Sequence, residues 1–265
     1  MRVATFWCHF LTIVVTSGSW VVLAPKAIAN PGAQQPPSLT PSQIPSGFTA
    51  EWGNYFVSGS VYGYERYQSR QWTTDSCLNA GIGFGNPRQA VSLELDYNQE
   101  SLAGDPAGGS VDIRLGRSLV HNQHFKMGLS AGWLAAASYG DVSMKGNSPY
   151  GAITAAWPLQ PQNPEFRQTM QVTLGGGAGR FQRIDGPSQV GNGIFASVGV
   201  EVSPILGLSV GWAGRGVNAG ISLVPSRQTP ITITLSGINL ANTDNGGRAA
   251  ALTMTWGGNF RTARF

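Results

Sequence analysis

Charged residues are scarce in this chain of 265 amino acids. Asp, Glu, Lys and Arg make up 11% of the sequence, whereas an average soluble domain has ~25%. A surface in contact with water normally carries ~25–35% of these residues. The chain therefore lacks the charge for an ordinary soluble exterior. Its surface must face lipid or be covered with Ser, Thr, Gly and Asn.

Other absences exclude further classes of protein. Two cysteines, Cys8 and Cys77, are too few for a Cys-rich metal site. The 17 Lys and Arg only slightly outnumber the 13 Asp and Glu and do not cluster, so nucleic acid is not an expected partner. No apolar run of 18 residues follows the N-terminal region, which excludes a protein that crosses a membrane with helices.

The N-terminus predicts a secretory signal peptide over residues 1–29. Arg2 provides the positive start, two short apolar stretches follow, and Ala27-Ile28-Ala29 forms an A-x-A site with cleavage before Asn30. An uncleaved membrane anchor is the alternative. Residues 16–19 (Thr-Ser-Gly-Ser) argue against it, because they interrupt a run already shorter than the ~20 residues needed to span a bilayer.

Proline dominates the segment that follows, residues 30–50. Five prolines between residues 30 and 47 remove backbone donors and favour polyproline II. We expect an extended, disordered spacer that packs against nothing. The barrel described next then occupies residues 51–260, and residues 261–265 form a C-terminal tail.

The remaining sequence alternates apolar and small polar residues with a period of two, as in 205–214 and 230–237. This period indicates strands with one apolar and one polar face. Short turns such as 86–88 alternate with longer loops such as 137–148, which is typical of an outer-membrane barrel. We predict an all-β, antiparallel, up-and-down transmembrane barrel of about twelve strands. The strand candidates are 55–66, 77–85, 89–98, 109–120, 124–136, 149–157, 166–179, 190–202, 205–214, 216–224, 230–237 and 248–260.

Alternation alone does not say which face points outward, because a soluble lipocalin-like barrel places its apolar face inside. The polar faces here consist of Gly, Ser, Thr and Asn with few charges, which favours a polar lumen. Aromatic residues near the ends of the apolar faces fit interface girdles, although core packing also favours aromatics. These candidates are Phe84, Tyr97, Trp157, Trp212, Trp256 and Phe260.

The last strand carries Leu252, Met254, Trp256 and Phe260 at alternate positions and resembles the C-terminal strand of bacterial outer-membrane proteins. Two segments resemble sequences from a group of cyanobacterial barrel-type proteins that has no known activity. They are GIGFGNPRQAVSLELDY (81–97) and GVNAGISLVPSRQTPITIT (216–234). The resemblance implies export to the outer envelope. It also implies the outer-membrane lipid and the barrel-assembly machinery as partners.

A polar lumen would receive six charged side chains, because a charge facing lipid at mid-bilayer costs ~2–4 kcal/mol. They would either set the selectivity of a narrow aqueous path or form salt bridges that plug and stiffen the barrel. The six are Glu94, Asp96, Asp112, Arg114, Lys126 and Glu201.

No pattern indicates catalysis, a cofactor or a metal. His121 and His124 are better explained as polar residues of a turn than as metal ligands, and no G-x-S-x-G sequence marks a nucleophile. The glycine runs 81–85 and 175–177 precede no helix, so they do not form phosphate loops. We therefore expect no enzyme activity.

The sequence thus predicts an integral outer-membrane barrel, with a narrow pore for small polar solutes as the leading function. A structural or surface-interaction barrel without transport is the first alternative. A soluble secreted barrel that binds an apolar ligand inside is the second.

Overall fold

The computed structural model describes residues 36–65, 71–102, 108–140, 147–185, 188–226, 230–242 and 247–261. The predicted signal peptide, residues 30–35 of the predicted spacer and residues 262–265 of the predicted tail lie outside this range.

Within these described ranges, fourteen β-strands follow one another, and twelve of them close into a single antiparallel barrel. Strand β1 pairs with β14 from Asn54↔Asn259 to Tyr64↔Ala249, which closes the sheet. β8 and β9 form a separate two-stranded sheet within the connection from β7 to β10. The prediction of an up-and-down barrel of about twelve strands is confirmed. The strands are β1 (Asn54–Glu65), β2 (Trp72–Gly85), β3 (Ser92–Gln99), β4 (Gly108–His121), β5 (Lys126–Gly140), β6 (Ser148–Pro158), β7 (Thr169–Gly177), β8 (Arg183–Asp185), β9 (Ser188–Val190), β10 (Ile194–Ser203), β11 (Leu206–Trp212), β12 (Val217–Leu223), β13 (Ile231–Ile238) and β14 (Ala249–Asn259).

Most apolar side chains point outward and most polar side chains point into the lumen, although Phe56 and Tyr62 of β1 are buried on the inner side. In β1, Val57 and Val61 are 46% and 61% exposed, whereas the intervening Ser58 and Ser60 are 2% and 4% exposed. The same alternation exposes Leu235 and Leu252 on the outside of β13 and β14. An apolar exterior is what a barrel inserted in lipid requires. The soluble alternative needs the opposite arrangement and is not favoured.

The two edges of the barrel differ in the length of their connections. One edge, called here the short-turn edge, holds compact turns such as 122–125 and 204–205. The opposite long-loop edge holds the longer connections, including 178–193 with β8 and β9. β1 begins and β14 ends at the short-turn edge. In outer-membrane barrels the short turns face the periplasm.

All six predicted interface aromatics lie on the outer face. Phe84, Trp157, Trp256 and Phe260 lie toward the short-turn edge, and Tyr97 and Trp212 lie toward the long-loop edge. Trp52 extends the first group by packing against Phe84 and Phe260, with ring centroids 5.5 and 5.4 Å apart. Tyr139 extends the second group through a 2.6 Å hydroxyl contact with Tyr97. Their role as membrane anchors remains a prediction. Across the described ranges, no helix has the length and hydropathy needed to cross a bilayer.

Candidate functional site: the lumen and its inserted hairpin

Residues 36–51 enter the barrel and return, and we call them the lumen hairpin. They contain no strand or helix, as the proline content predicts, yet most of their side chains are buried. The prediction of an unpacked, disordered spacer was therefore wrong for this part of the segment. The barrel encloses it and supplies hydrogen-bond partners that a sequence pattern does not reveal.

The first arm of the hairpin rises from the short-turn edge along β7, β10, β11 and β12. The Ser38 amide donates to Ser222 Oγ at 2.8 Å, near the short-turn end of β12. Gln171 Nε2 of β7 donates to Thr40 Oγ1 at 2.7 Å. The arm ends near the long-loop edge, where Asn218 Nδ2 donates to the Ser42 carbonyl at 2.7 Å. Contacts from one end of β12 to the other thus show that the arm spans much of the lumen.

The second arm descends along β6, β5 and β3 to the start of β1. The Gly47 amide donates to Thr154 Oγ1 at 2.7 Å, and Ser130 Oγ donates to the Ser46 carbonyl at 2.7 Å. Lower down, the Ala50 amide donates to Glu94 Oε2 at 2.7 Å. Both arms therefore reach the short-turn edge, and only the tip lies deep in the barrel.

The tip is a tight turn capped by one apolar side chain. The Ile44 amide donates to the Pro41 carbonyl at 3.4 Å. Gln43 has a φ of 70°, a left-handed backbone conformation that residues other than glycine rarely adopt. Ile44 is fully buried in an apolar socket near the long-loop edge. The socket consists of Leu134, Tyr150, Ala152, Phe181, Phe195 and Ala213.

Glycines of the barrel wall make room for the hairpin. A Cβ on Gly83 would lie 2.5 Å from the Glu51 carbonyl oxygen, and one on Gly128 would lie 2.6 Å from that of Gly47. A Cβ on Gly211 would lie 2.6 Å from Ile44 Cδ1, and one on Gly199 would overlap the Leu39 backbone. The glycine content of the lumen therefore accommodates a second pass of backbone.

Four of the six predicted lumen charges form one buried cluster on β3 and β4. Glu94, Asp96, Asp112 and Arg114 are each at most 1% exposed. Arg114 Nη2 donates to Glu94 Oε1, and Arg114 Nε lies 3.5 Å from Asp96 Oδ2. Asp112 accepts from the Ala135 amide at 2.6 Å, where the register between β4 and β5 shifts. Because Glu94 also holds the hairpin, the cluster links the wall to the inserted segment.

The other two predicted charges lie apart from this cluster. Lys126 begins β5 at the short-turn edge and is partly buried. Glu201, on β10, accepts from the Thr169 amide at 2.7 Å. Neither takes part in the ion pairs of Arg114.

Sequence reasoning missed Arg180, which is 9% exposed in the loop after β7. Burial lowers the pKa of Arg180 to about 10, and the charges of Asp112 and Glu100 oppose this shift. Its guanidinium therefore keeps its charge at neutral pH, close to the acidic side chains of β3 and β4. Loop residues do not follow the period-two pattern, so nothing in the sequence placed this arginine in the lumen.

A second missed feature is a band of polar side chains, one from each of four neighbouring strands. Thr255 pairs with Ser58, Ser58 with Asn79, and Asn79 with Asn98. We call these four residues the polar band. Each is at most 2% exposed and has at least one side-chain polar atom without a hydrogen-bond partner. The hairpin contacts described above lie on β2, β3, β5–β7 and β10–β12, whereas the band continues across β1 and β14.

The two histidines lie at the short-turn edge, His121 at the end of β4 and His124 in the following turn, and both are exposed. Within the described ranges, no three His, Cys, Asp or Glu side chains come together in a way that could hold a metal ion. The absence of enzyme activity remains a prediction.

Comparison with known proteins finds similar shapes but no relatives. No family model and no curated protein matches the chain. The KdgM porin shares 6% identity with a TM-score of 0.47, over 76% of this chain and 98% of its own. The NanC porin shares 7% with a TM-score of 0.46, over 77% and 98%. Outer membrane phospholipase A from Escherichia coli shares 10% with a TM-score of 0.43, over 83% and 91%.

These solved structures are outer-membrane barrels, and two of them are porins. At such identities and TM-scores, the similarity does not extend to what those proteins transport or cleave. The resemblance to cyanobacterial barrel proteins remains a prediction, because no match supports it.

Proposed function

We propose that the chain is an exported outer-membrane channel of narrow bore that passes small polar solutes. In this proposal the signal peptide is cleaved before Asn30, the barrel-assembly machinery inserts the strands, and the short turns face the periplasm. The apolar exterior supports insertion in lipid, and the polar inner face supports an aqueous interior.

The polar band is the observation that carries the channel proposal. A buried polar atom without a partner costs about 1–3 kcal/mol. Four such side chains lie on neighbouring strands, and each would impose this cost if it never formed a hydrogen bond. Water or a small hydrogen-bonding solute would satisfy these atoms. The wall formed by β14, β1, β2 and β3 is therefore the proposed conducting side of the lumen. Because its band residues are at most 2% exposed, conduction requires that neighbouring side chains move and admit water.

A structural barrel without transport is the second candidate, and the lumen hairpin favours it. The hairpin fills the side of the lumen along β5–β7 and β10–β12 and also contacts Glu94 of β3, whose ion pair with Arg114 stiffens the wall beside it. The first candidate predicts conductance beside the hairpin, and the second predicts none.

Conductance across planar lipid bilayers tests the proposal. We expect folded wild-type protein to give a small, steady conductance. Asn79→Leu should reduce it, because an apolar side chain would then occupy the middle of the polar band. Leu78→Phe is the matched control, since it adds bulk on the lipid face of the same strand, where Leu78 is 47% exposed. Zero conductance from folded wild-type protein would contradict the channel and favour the structural barrel.

A further inference from the structure

The lumen hairpin has the features of a movable gate. We propose that residues 36–51 are a gate that withdraws through the short-turn edge and reinserts. This proposal rests on the proposed channel function. The seated hairpin occupies the lumen along β5–β7 and β10–β12, and its withdrawal opens that part of the lumen as a wider path.

The route of the chain permits withdrawal without threading. Ser38, on the first arm, contacts the short-turn end of β12, and Ala50, on the second arm, contacts Glu94 of β3 just before the chain enters β1. Only the tip at residues 42–44 reaches the long-loop edge. The hairpin can therefore leave as one loop while every pairing of the barrel strands stays intact.

The contacts along both arms are of a kind that water can replace. The arms are held mostly by hydroxyl, amide and carbonyl groups, for example Ser42 Oγ to Ser236 Oγ at 2.6 Å and Thr49 Oγ1 to Ser92 Oγ at 2.5 Å, and the Ala50 amide adds one charged acceptor, the Glu94 carboxylate. Hydrogen bonds of this kind contribute little net free energy, because water forms equivalent ones. When the hairpin withdraws into an aqueous compartment, water therefore replaces its hydrogen-bond partners, and no polar group of the hairpin is left without one.

Leu39 and Ile44 are buried apolar side chains of the hairpin whose contacts water cannot replace, and the more deeply buried of the two is Ile44, at 0% exposed. Its side chain is fully buried among aromatic and aliphatic residues from several strands and from the loop after β7. The neighbouring Gln43, with its φ of 70°, opposes the seated state, because a left-handed backbone is strained for a residue with a Cβ. The packing of Ile44 in its socket therefore holds the hairpin in the seated state, and weakening this packing should shift the gate toward the open state.

The wall glycines show that the seated position is a specific one. Gly83, Gly128 and Gly211 each leave space that the hairpin backbone or Ile44 occupies. A lumen that merely collapsed around a disordered segment would not need cradles of this kind at separate heights on separate strands. The barrel is shaped to receive this segment, which makes reinsertion specific.

A reversible crosslink tests the gate. Ser42→Cys with Ser236→Cys joins the hairpin to β13 at a hydroxyl pair 2.6 Å apart. Ser60→Cys with Thr253→Cys is the matched control, because that pair is also 2.6 Å apart but joins two barrel strands. Both pairs are placed in a full-length Cys8→Ala, Cys77→Ala background, so that the introduced cysteines have no native competitor. Gel mobility confirms folding and crosslinking.

We expect the reduced hairpin pair to show the small steady conductance and, in addition, larger openings. Oxidation should remove the larger openings, leave the small conductance, and be reversed by dithiothreitol. Oxidation of the control pair should change neither level. Unchanged large openings in a fully crosslinked hairpin would overturn the gate and leave the channel intact.

A second readout does not depend on conductance. Ser42→Cys protein in the same background without native cysteines is placed in liposomes and labelled with a maleimide, and the labelling rate reports how often the tip becomes exposed. Ile44→Ala should raise this rate at least about tenfold, which corresponds to about 1.4 kcal/mol. Ile221→Ala is the control on the lipid face, where Ile221 is 47% exposed, and should leave the rate unchanged.

An unchanged labelling rate in Ile44→Ala would overturn the gate, whatever the conductance shows. Faster labelling in a protein that never conducts would instead refute the channel function and leave a movable hairpin in a barrel that does not transport.

Discussion

Replacing Leu235 with arginine tests which face of the barrel meets lipid. Leu235 is 52% exposed and pairs with Leu252, which pairs in turn with Val61. Leu252 is two residues from the centre of β14 (Ala249–Asn259), or roughly 5 Å in height at ~3.4 Å per residue and a tilt of ~40°. The apolar band of such barrels is ~25 Å tall, so Leu235 should lie well within it.

An arginine on the lipid face costs ~2–4 kcal/mol at mid-bilayer but only ~0–1 kcal/mol near an interface. Leu240 provides the matched position, because it is 47% exposed and lies beyond the long-loop end of β13. We expect Leu235→Arg to lower the free energy of unfolding in lipid vesicles by about 2–4 kcal/mol and Leu240→Arg by at most about 1 kcal/mol. The assay is reversible urea unfolding, followed by tryptophan fluorescence and heat-modifiable gel mobility. Equal losses at both positions would refute the assignment of the outer face to the hydrocarbon core.

Three further outcomes follow from the same structure. Gly199→Val should displace the hairpin and enlarge the conductance, because its Cβ would overlap the Leu39 backbone. Gly151→Val should not, since its Cβ would lie 3.9 Å from the nearest atom. Similar conductance in both variants would contradict the fit between the wall glycines and the hairpin. Arg114→Met should destabilise the barrel by about 3–5 kcal/mol, since it strands the buried Glu94 carboxylate. Arg88→Met, at an exposed position in the turn between β2 and β3, should stay within about 0.5 kcal/mol, and equal effects in urea unfolding would count against the ion pair. Cell fractionation should place the protein in the outer membrane, running faster unheated than boiled, and a soluble protein with no shift would contradict membrane insertion.

The period-two pattern was sufficient to predict the barrel. Each of the twelve predicted strands corresponds to a barrel strand, and the last ends at Asn259, one residue before the predicted end. Strand pairing is local along an up-and-down barrel, so adjacent segments specify one another. The inward direction of Glu94 and Arg114 followed from the same alternation. Their ion pair did not, because it depends on the register of β3 against β4.

The lumen hairpin could not be predicted by the same reasoning. Its prolines exclude regular structure and leave no periodicity to interpret, so its composition fits a free spacer equally well. Its partners are also remote in sequence. Ser38 bonds to Ser222 and Ser42 to Ser236, separations of 184 and 194 residues. The buried Leu39 and Ile44 were the available signal, because a spacer that stays in water has little use for large aliphatic side chains.

The structure explains why the side chains that line the lumen are small, which the sequence alone did not explain. A twelve-stranded barrel is wider than one of ~8 strands, whose own side chains fill the interior. Glycine and serine widen the lumen further, and by themselves they suggest an open channel. Here the space beside Gly128, Gly199 and Gly211 is matched to an extended chain. The hydroxyls of Thr154 and Ser222 meet backbone amides of that chain, which its own proline-rich structure leaves without partners. A glycine-rich inner face and a proline-rich N-terminal segment are therefore complementary halves of one assembly, and each makes the other stable in the lumen.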